Sequence, residues 1–206
     1  MANDMASRAS GPPTAAGGEP GAETGARART RQAIVEAAVR ALAADPGAPL
    51  GRVADLADVG RTTLHRYFPE RADLLDAVAR HAVRSIAAAH ERARLDEGTA
   101  LEALLRVAQE YLELGDLLTV LFSGLVPEEA WADDVTNGDA LERLCARGRA
   151  DGSLDPRLPD DWSQGVLWSA LYLSWATLRA GDADRHTVVG NLLLTLRKAL
   201  GATLPD

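Results

Sequence analysis

"LGRVADLADVGRTTLHRYFP", residues 50–69, holds two short stretches of helical character on either side of a three-residue break. In "LGRVADLA", Leu50, Val53, Ala54 and Ala57 recur at the spacing of one helical face. "DVG", Asp58 to Gly60, has turn composition, and "RTTLHRYF" reads as a second short helix that Pro69 ends. Upstream, "TRQAIVEAAVRALAAD" places Ile34, Ala37, Ala38, Ala41 and Leu42 on one stripe and leaves Arg31, Glu36 and Arg40 for solvent. "PGAP", residues 46–49, stops that helix and starts the next. Downstream, roughly Arg71 to Arg94, runs a long, amphipathic, arginine-rich helix.

A supporting helix followed by two short helices around a tight turn is the layout of a helix-turn-helix. The charge distribution fits such a head. The chain of 206 residues carries a net charge of −8, yet residues 27–94 hold 12 arginines against 8 acids, whereas residues 95–206 hold 9 basic against 19 acidic groups. A basic module on an acidic body suits phosphate binding at one end and discourages it elsewhere.

With the residues in this order, "TRQAIVEAAVRALA...PLGRVADLADVGRTTLHRYFPERADLLDAV" resembles the N-terminal domain of the TetR (tetracycline-repressor) family of bacterial transcription regulators. The likeness covers about 50 consecutive residues. It includes the Val-Ala start of the second helix, the turn valine, the Thr-Leu of the third helix and the Phe-Pro exit. Four positions depart from the family pattern: Asp58 replaces the turn glycine, Gly60 replaces a Ser or Thr cap, Thr62 replaces a smaller residue, and His65 stands where tyrosine is frequent. Asp tolerates a left-handed backbone better than most residues, so the turn is expected to survive. Thr62 and His65 leave the operator preference open.

The resemblance implies an all-α fold: an N-terminal three-helix helix-turn-helix head on a larger C-terminal helical bundle for ligand binding and dimerisation. The expected divisions are a disordered tail over 1–26, a DNA-binding head over 27–75 whose linking helix reaches about 94, and an effector and dimerisation domain over 95–206. It further implies that Arg61, Thr62 and Thr63 read base edges from the first turn of the recognition helix. His65, Arg66 and Tyr67 meet phosphates and bases one turn on, and Arg71 meets the DNA backbone at the start of the fourth helix. Leu64 and Phe68 are expected inside. For Tyr67 a mainly core role, and for His65 a capping or packing role, stay open.

Past residue 95 the sequence is helices and short turns. "GTALEALLRVAQEYLELGD" places Leu101, Leu104, Leu105, Ala108 and Leu112 inside, with Gly115 closing the helix. "LLTVLFSGLVP" reads as a short apolar helix ended by Pro127, "EEAWADDVTNGD" as a loop or broken helix, and "ALERLCARGRADGSLDP" as a helix running into a Gly-rich turn. "LPDDWSQGVLWSALYLSWATLRAG" is apolar nearly all round, from Pro159 to Gly181, and "DRHTVVGNLLLTLRKALG" is apolar on more than one face. Two such helices need a partner, and in the family the last two helices pair across a two-fold axis, so a homodimer is expected. Gly165, Ser169 and Gly190 are small enough to allow close approach there.

Aromatic residues make up only 4% of the chain, yet Tyr111, Phe122, Trp131, Trp162, Trp168, Tyr172 and Trp175 all lie in this body. Trp168, Tyr172 and Trp175 fall at i, i+4 and i+7, one wall of a cavity between helices or an aromatic core stripe or dimer seam. Taken as a pocket, Tyr111, Phe122, Trp131, Trp168, Tyr172 and Trp175 are the expected contacts of a small, largely apolar effector.

The expected function is a ligand-responsive DNA-binding transcriptional regulator, a repressor that binds a palindromic operator as a dimer in the cytoplasm and is released by its effector. The alternative is a helical ligand-binding or protein-interaction module without DNA binding. No phosphate loop, nucleophile elbow or HExxH motif points to an enzyme. The lone Cys145 and the scattered His65, His81, His90 and His186 have no metal-ligand spacing, so neither cofactor nor metal is expected. No apolar run reaches the roughly 18 residues of a membrane span.

Overall fold

The computed structural model describes residues 20–127 and 138–202. Among these residues the chain folds into nine helices: α1 (Pro20–Ala44), α2 (Leu50–Leu56), α3 (Arg61–Tyr67), α4 (Arg71–Ala93), α5 (Ala100–Glu113), α6 (Gly115–Phe122), α7 (Gly138–Ala150), α8 (Asp160–Ala180) and α9 (Arg185–Leu200). α1 starts inside the stretch expected to be a disordered tail. Pro20 suits a first helical position, and the alanines that follow favour continuation. The rest of that tail lies outside the described residues.

The head is built on α1. Ile34, Val35, Ala37, Ala38, Ala41 and Leu42 are buried, as are Val53 and Ala54 of α2, Leu64 of α3, and Phe68. The α2–α3 turn closes by donation from Val59 N–H to the Ala54 carbonyl (3.0 Å) and from Asp58 N–H to the Asp55 carbonyl (3.3 Å), with Asp58 left-handed at φ 53°. This is a Schellman ending with aspartate at the position glycine usually takes. Arg40 of α1 reaches the Leu56 carbonyl at 3.4 Å, tying the end of α2 to the supporting helix.

α4 leads from the head into the body. It opens at Glu70, whose N–H donates to the Asp73 carboxylate at 3.0 Å, and it ends where Arg94 turns left-handed at φ 49°. Its far end is gripped by Arg106 of α5. The Arg106 guanidinium donates to the carbonyls of Ala93 (2.6 Å), Arg94 (2.9 Å) and Glu97 (2.6 Å).

α5 is the centre of the body and packs against α4, α6, α7, α8 and α9. Thr99 and Glu102 form a reciprocal cap at its start. Leu104, Leu105, Ala108 and Leu112 are buried as expected, whereas Leu101 is only half-buried. Gly115 does not close this helix; it opens α6. α6 in turn ends at Phe122, followed by Gly124 at φ 74°, before Pro127 is reached. α8 ends on Gly181, again left-handed, and Asp184 caps α9 by accepting from Thr187 N–H at 2.9 Å. Among the described residues α8 and α9 pair more extensively than any other two helices. Among the described residues no helix is long and apolar enough to cross a membrane.

Candidate nucleic-acid interface and aromatic cluster

α3 is a seven-residue helix held by two apolar anchors. Leu64 and Phe68 are buried on its inner side, so Arg61, Thr62, His65 and Arg66 are exposed on the outer side, with Thr63 and Tyr67 half-buried at the edges. Gly60 precedes it in extended conformation without a side-chain cap, which leaves the first-turn N–H groups open to an outside acceptor. The Arg61 guanidinium lies beside Gly51 of α2: a Cβ on Gly51 would stand 3.3 Å from Arg61 Nη2. Arg66 sits over the Tyr67 ring at 5.6 Å, and Arg31 of α1 over the Phe68 ring at 5.0 Å.

Arg71 has an anchoring role within the protein. Its guanidinium turns inward, donating from Nη1 to the Ala48 carbonyl at 2.7 Å and from Nη2 to the Pro46 carbonyl at 2.9 Å. Those are main-chain acceptors of the α1–α2 turn, which has two prolines and therefore few N–H partners of its own. Arg71 thus clamps the start of α4 to the head with two of its five N–H donors, which does not exclude the expected phosphate contact.

The aromatic residues divide. Trp168 of α8 stacks on Tyr111 of α5, with centroids 5.3 Å apart and planes 11° apart, and Phe122 at the end of α6 meets Trp168 edge-on at 5.1 Å. The Tyr111 hydroxyl lies 2.6 Å from Nε2 of His90 on α4. Tyr111 is 3% exposed, and burial pushes its phenol far above the ordinary range, so the hydroxyl keeps its proton. Trp175 belongs to a different place, with Nε1 donating to the Leu112 carbonyl at 3.2 Å and the indole against Gly115.

Tyr172 is 73% exposed and departs from the expected wall. At 100° per residue it stands about 140° round from Leu167 on the buried stripe, whereas Trp168 and Trp175 stand about 100° and 80° from it. The buried stripe is Ser163, Leu167, Leu171 and Ser174. Trp131 lies outside the described residues.

His90, which the sequence did not single out, joins the aromatic group to α4. Its signal was positional, because Ala82, Ile86 and Ala89 place the apolar stripe of α4 on the same side and His90 continues it.

No protein-family model matches the chain. It is 36% identical over 189 residues to the HTH-type transcriptional repressor LfrR of Mycolicibacterium smegmatis, a match spanning 90% of this chain and 97% of that protein. The crystal structure of the TetR-like regulator LfrR from Mycobacterium smegmatis in complex with proflavine is similar at TM-score 0.69 and 37% identity, covering 87% of this chain and 99% of that one. A TetR family transcription regulator from Marinobacter aquaeolei VT8 shares the fold at TM-score 0.67 and 20% identity, over 87% and 100% of the two chains. Helix-turn-helix head, helical body and a relative alike over nearly its whole length make this chain a member of the TetR family of DNA-binding transcriptional regulators.

Proposed function

We propose that the chain is a homodimeric repressor that holds a palindromic operator with α3 and releases it when a small, largely apolar aromatic compound enters the Tyr111–Trp168–Phe122 cluster. The observation that carries the DNA half is the outer side of α3. Arg61, Thr62, His65 and Arg66 stand exposed on a helix whose inner side is fixed by Leu64 and Phe68, the geometry for a helix entering a major groove. Arg61, Thr62 and Thr63 read bases in this proposal, and His65, Arg66 and Tyr67 serve phosphates and flanking bases.

The dimer half is supported by an apolar face that a single copy leaves open. Trp162, Tyr172, Leu173 and Leu194 are between 51% and 73% exposed on α8 and α9. An open groove of about 490 Å³ runs between these helices, past Gly165, Val166 and Ser169. Gly165 and Gly190 have nothing within 4 Å of where a Cβ would stand, leaving room for a partner helix. A second copy across a two-fold axis would cover this face and set two copies of α3 at half-site spacing.

The effector half is supported by the stacked rings and by the relative crystallised with proflavine. Release by tens-fold corresponds to roughly 2 kcal/mol of coupling between the two sites. The test is fluorescence anisotropy with duplexes from the DNA upstream of the gene, over a salt series, with and without proflavine. A steep salt dependence and release by proflavine are expected. Absence of binding to any palindrome selected from a random library would favour the module without DNA binding.

A further inference from the structure

We propose that His90 is the positioning residue through which the aromatic site acts on the DNA-binding head, by way of its hydrogen bond to Tyr111. The proposal rests on reading the aromatic cluster as the effector site. Tyr111 meets two demands at once: its ring is one member of the stack with Trp168, and its hydroxyl is bonded to α4. A movement of that ring is therefore a movement of the hydroxyl.

The stack is closed. With centroids 5.3 Å apart there is no space for a third ring, and inserting one requires roughly 7 Å or more. α5 cannot yield readily, because it is packed on five sides, with Val107, Ala108 and Leu112 around Tyr111 all buried. In this proposal the Tyr111 side chain gives way, rather than α5 or the half-buried Trp168. It either leaves His90 or draws His90 with it.

Both outcomes are felt in α4. Tyr111 is 3% and His90 9% exposed, so little water reaches the pair to replace a broken bond. The other polar links between α5 and this end of α4 have a different character. Arg92–Glu110 (2.7 Å) has its arginine more than half exposed, and Arg106 grips carbonyls at the last residue of α4 and just after it. Neither includes a ring of the stack. The His90–Tyr111 bond is a directional contact that involves a ring of the stack, while the arginine contacts hold the end of α4 in place.

The test uses the full-length protein, an operator duplex and proflavine as the probe. Proflavine affinity is measured by its fluorescence, and operator affinity by anisotropy without and with saturating proflavine; the ratio of the last two is the coupling. His90→Leu is expected to bind proflavine within about threefold of the parent while its coupling falls by about tenfold. His90→Gln, which can still hydrogen-bond to the hydroxyl, is expected to recover most of it. Tyr111→Phe keeps the ring and loses the hydroxyl, so it should lose coupling too, read at saturation whatever its own proflavine affinity. Parent-like coupling in His90→Leu or in Tyr111→Phe overturns the proposal. If the parent fails to bind proflavine, or if Trp168→Ala leaves that binding unchanged, the reading of the aromatic site is overturned and the relay with it. Thermal unfolding of each variant checks that it is folded. Should His90→Leu not fold, His90→Gln and Tyr111→Phe decide the outcome by the same coupling ratio.

Discussion

The indole of Trp175 fills the space that a side chain on Gly115 would need: a Cβ there would lie 2.7 Å from both Cδ1 and Nε1 of the ring. Gly115→Ala must push α8 away from the α5–α6 corner or break the bond from Trp175 to the Leu112 carbonyl. A loss of about 1–3 kcal/mol is expected from such overpacking. Thermal denaturation should show a fall of several degrees, and an unchanged midpoint would contradict the close approach.

The left-handed Asp58 gives a cleaner test of the head. Glycine there relieves the backbone at φ 53°, so Asp58→Gly should be neutral or slightly stabilising. A β-branched residue cannot share that relief, and Asp58→Val should cost about 1–2 kcal/mol in urea unfolding.

Arg61 and Arg71 should behave differently on DNA. Arg61→Ala and Thr62→Ala are expected to change which duplexes are preferred in a selection from a random library. Arg71→Ala removes the clamp on Pro46 and Ala48, so it should destabilise the head by about 1–3 kcal/mol and weaken all operators, with the salt slope kept. Arg71→Lys should not restore it, since one ammonium cannot reproduce the fork of two donors. A salt slope lower by about one for Arg71→Ala would show that it meets a phosphate as well.

Leu173 and Leu194 are 66% and 51% exposed, so a single copy does not need them for folding. Leu173→Asp with Leu194→Asp should give a folded monomer by light scattering, with normal helical content and greatly reduced operator affinity. A dimer that persists would place the interface elsewhere.

His81 of α4 lines the cleft between head and body with Glu36 and Arg40 of α1, and Glu113, Leu114, Asp116 and Leu117 beyond them. Burial lowers its pKa below the ordinary 6.5, and Arg84 adds to this while Glu36 opposes it. As pH falls below about 6.5 the unfolded chain takes up a proton that folded His81 resists, so stability declines with falling pH. His81→Gln should flatten that decline in denaturant titrations between pH 7 and pH 5.

The head was legible in the sequence because its constraints are local. Val53, Ala54, Leu64 and Phe68 follow helical spacing, and Asp58 and Pro69 mark the breaks chemically. The body was legible as helices and less so as a site. Spacing along α8 put Trp168, Tyr172 and Trp175 together, but the side of α8 that is buried depends on where α5 and α9 lie. Likewise the clamp made by Arg71 was not legible, because its acceptors, 23 and 25 residues away, are main-chain carbonyls that no side-chain pattern announces. His90 and Gly115 matter for what packs against them, which periodicity does not convey.

The two arginine grips on α4 have a consequence in plain mechanics. Arg106 holds one end of a 23-residue helix and Arg71 fastens the other to the head. Such a rod is about 34 Å long, so a tilt of about 5° about the Arg106 end carries the Arg71 end roughly 3 Å. In the proposed two-fold dimer both rods would tilt in opposite senses, and the gap between the two copies of α3 would change by up to about twice that, close to the rise of two base pairs. If the proposed dimer and relay hold, a fixed pivot and a firm attachment would let a displacement of one aromatic ring become a misfit measured in steps of the double helix.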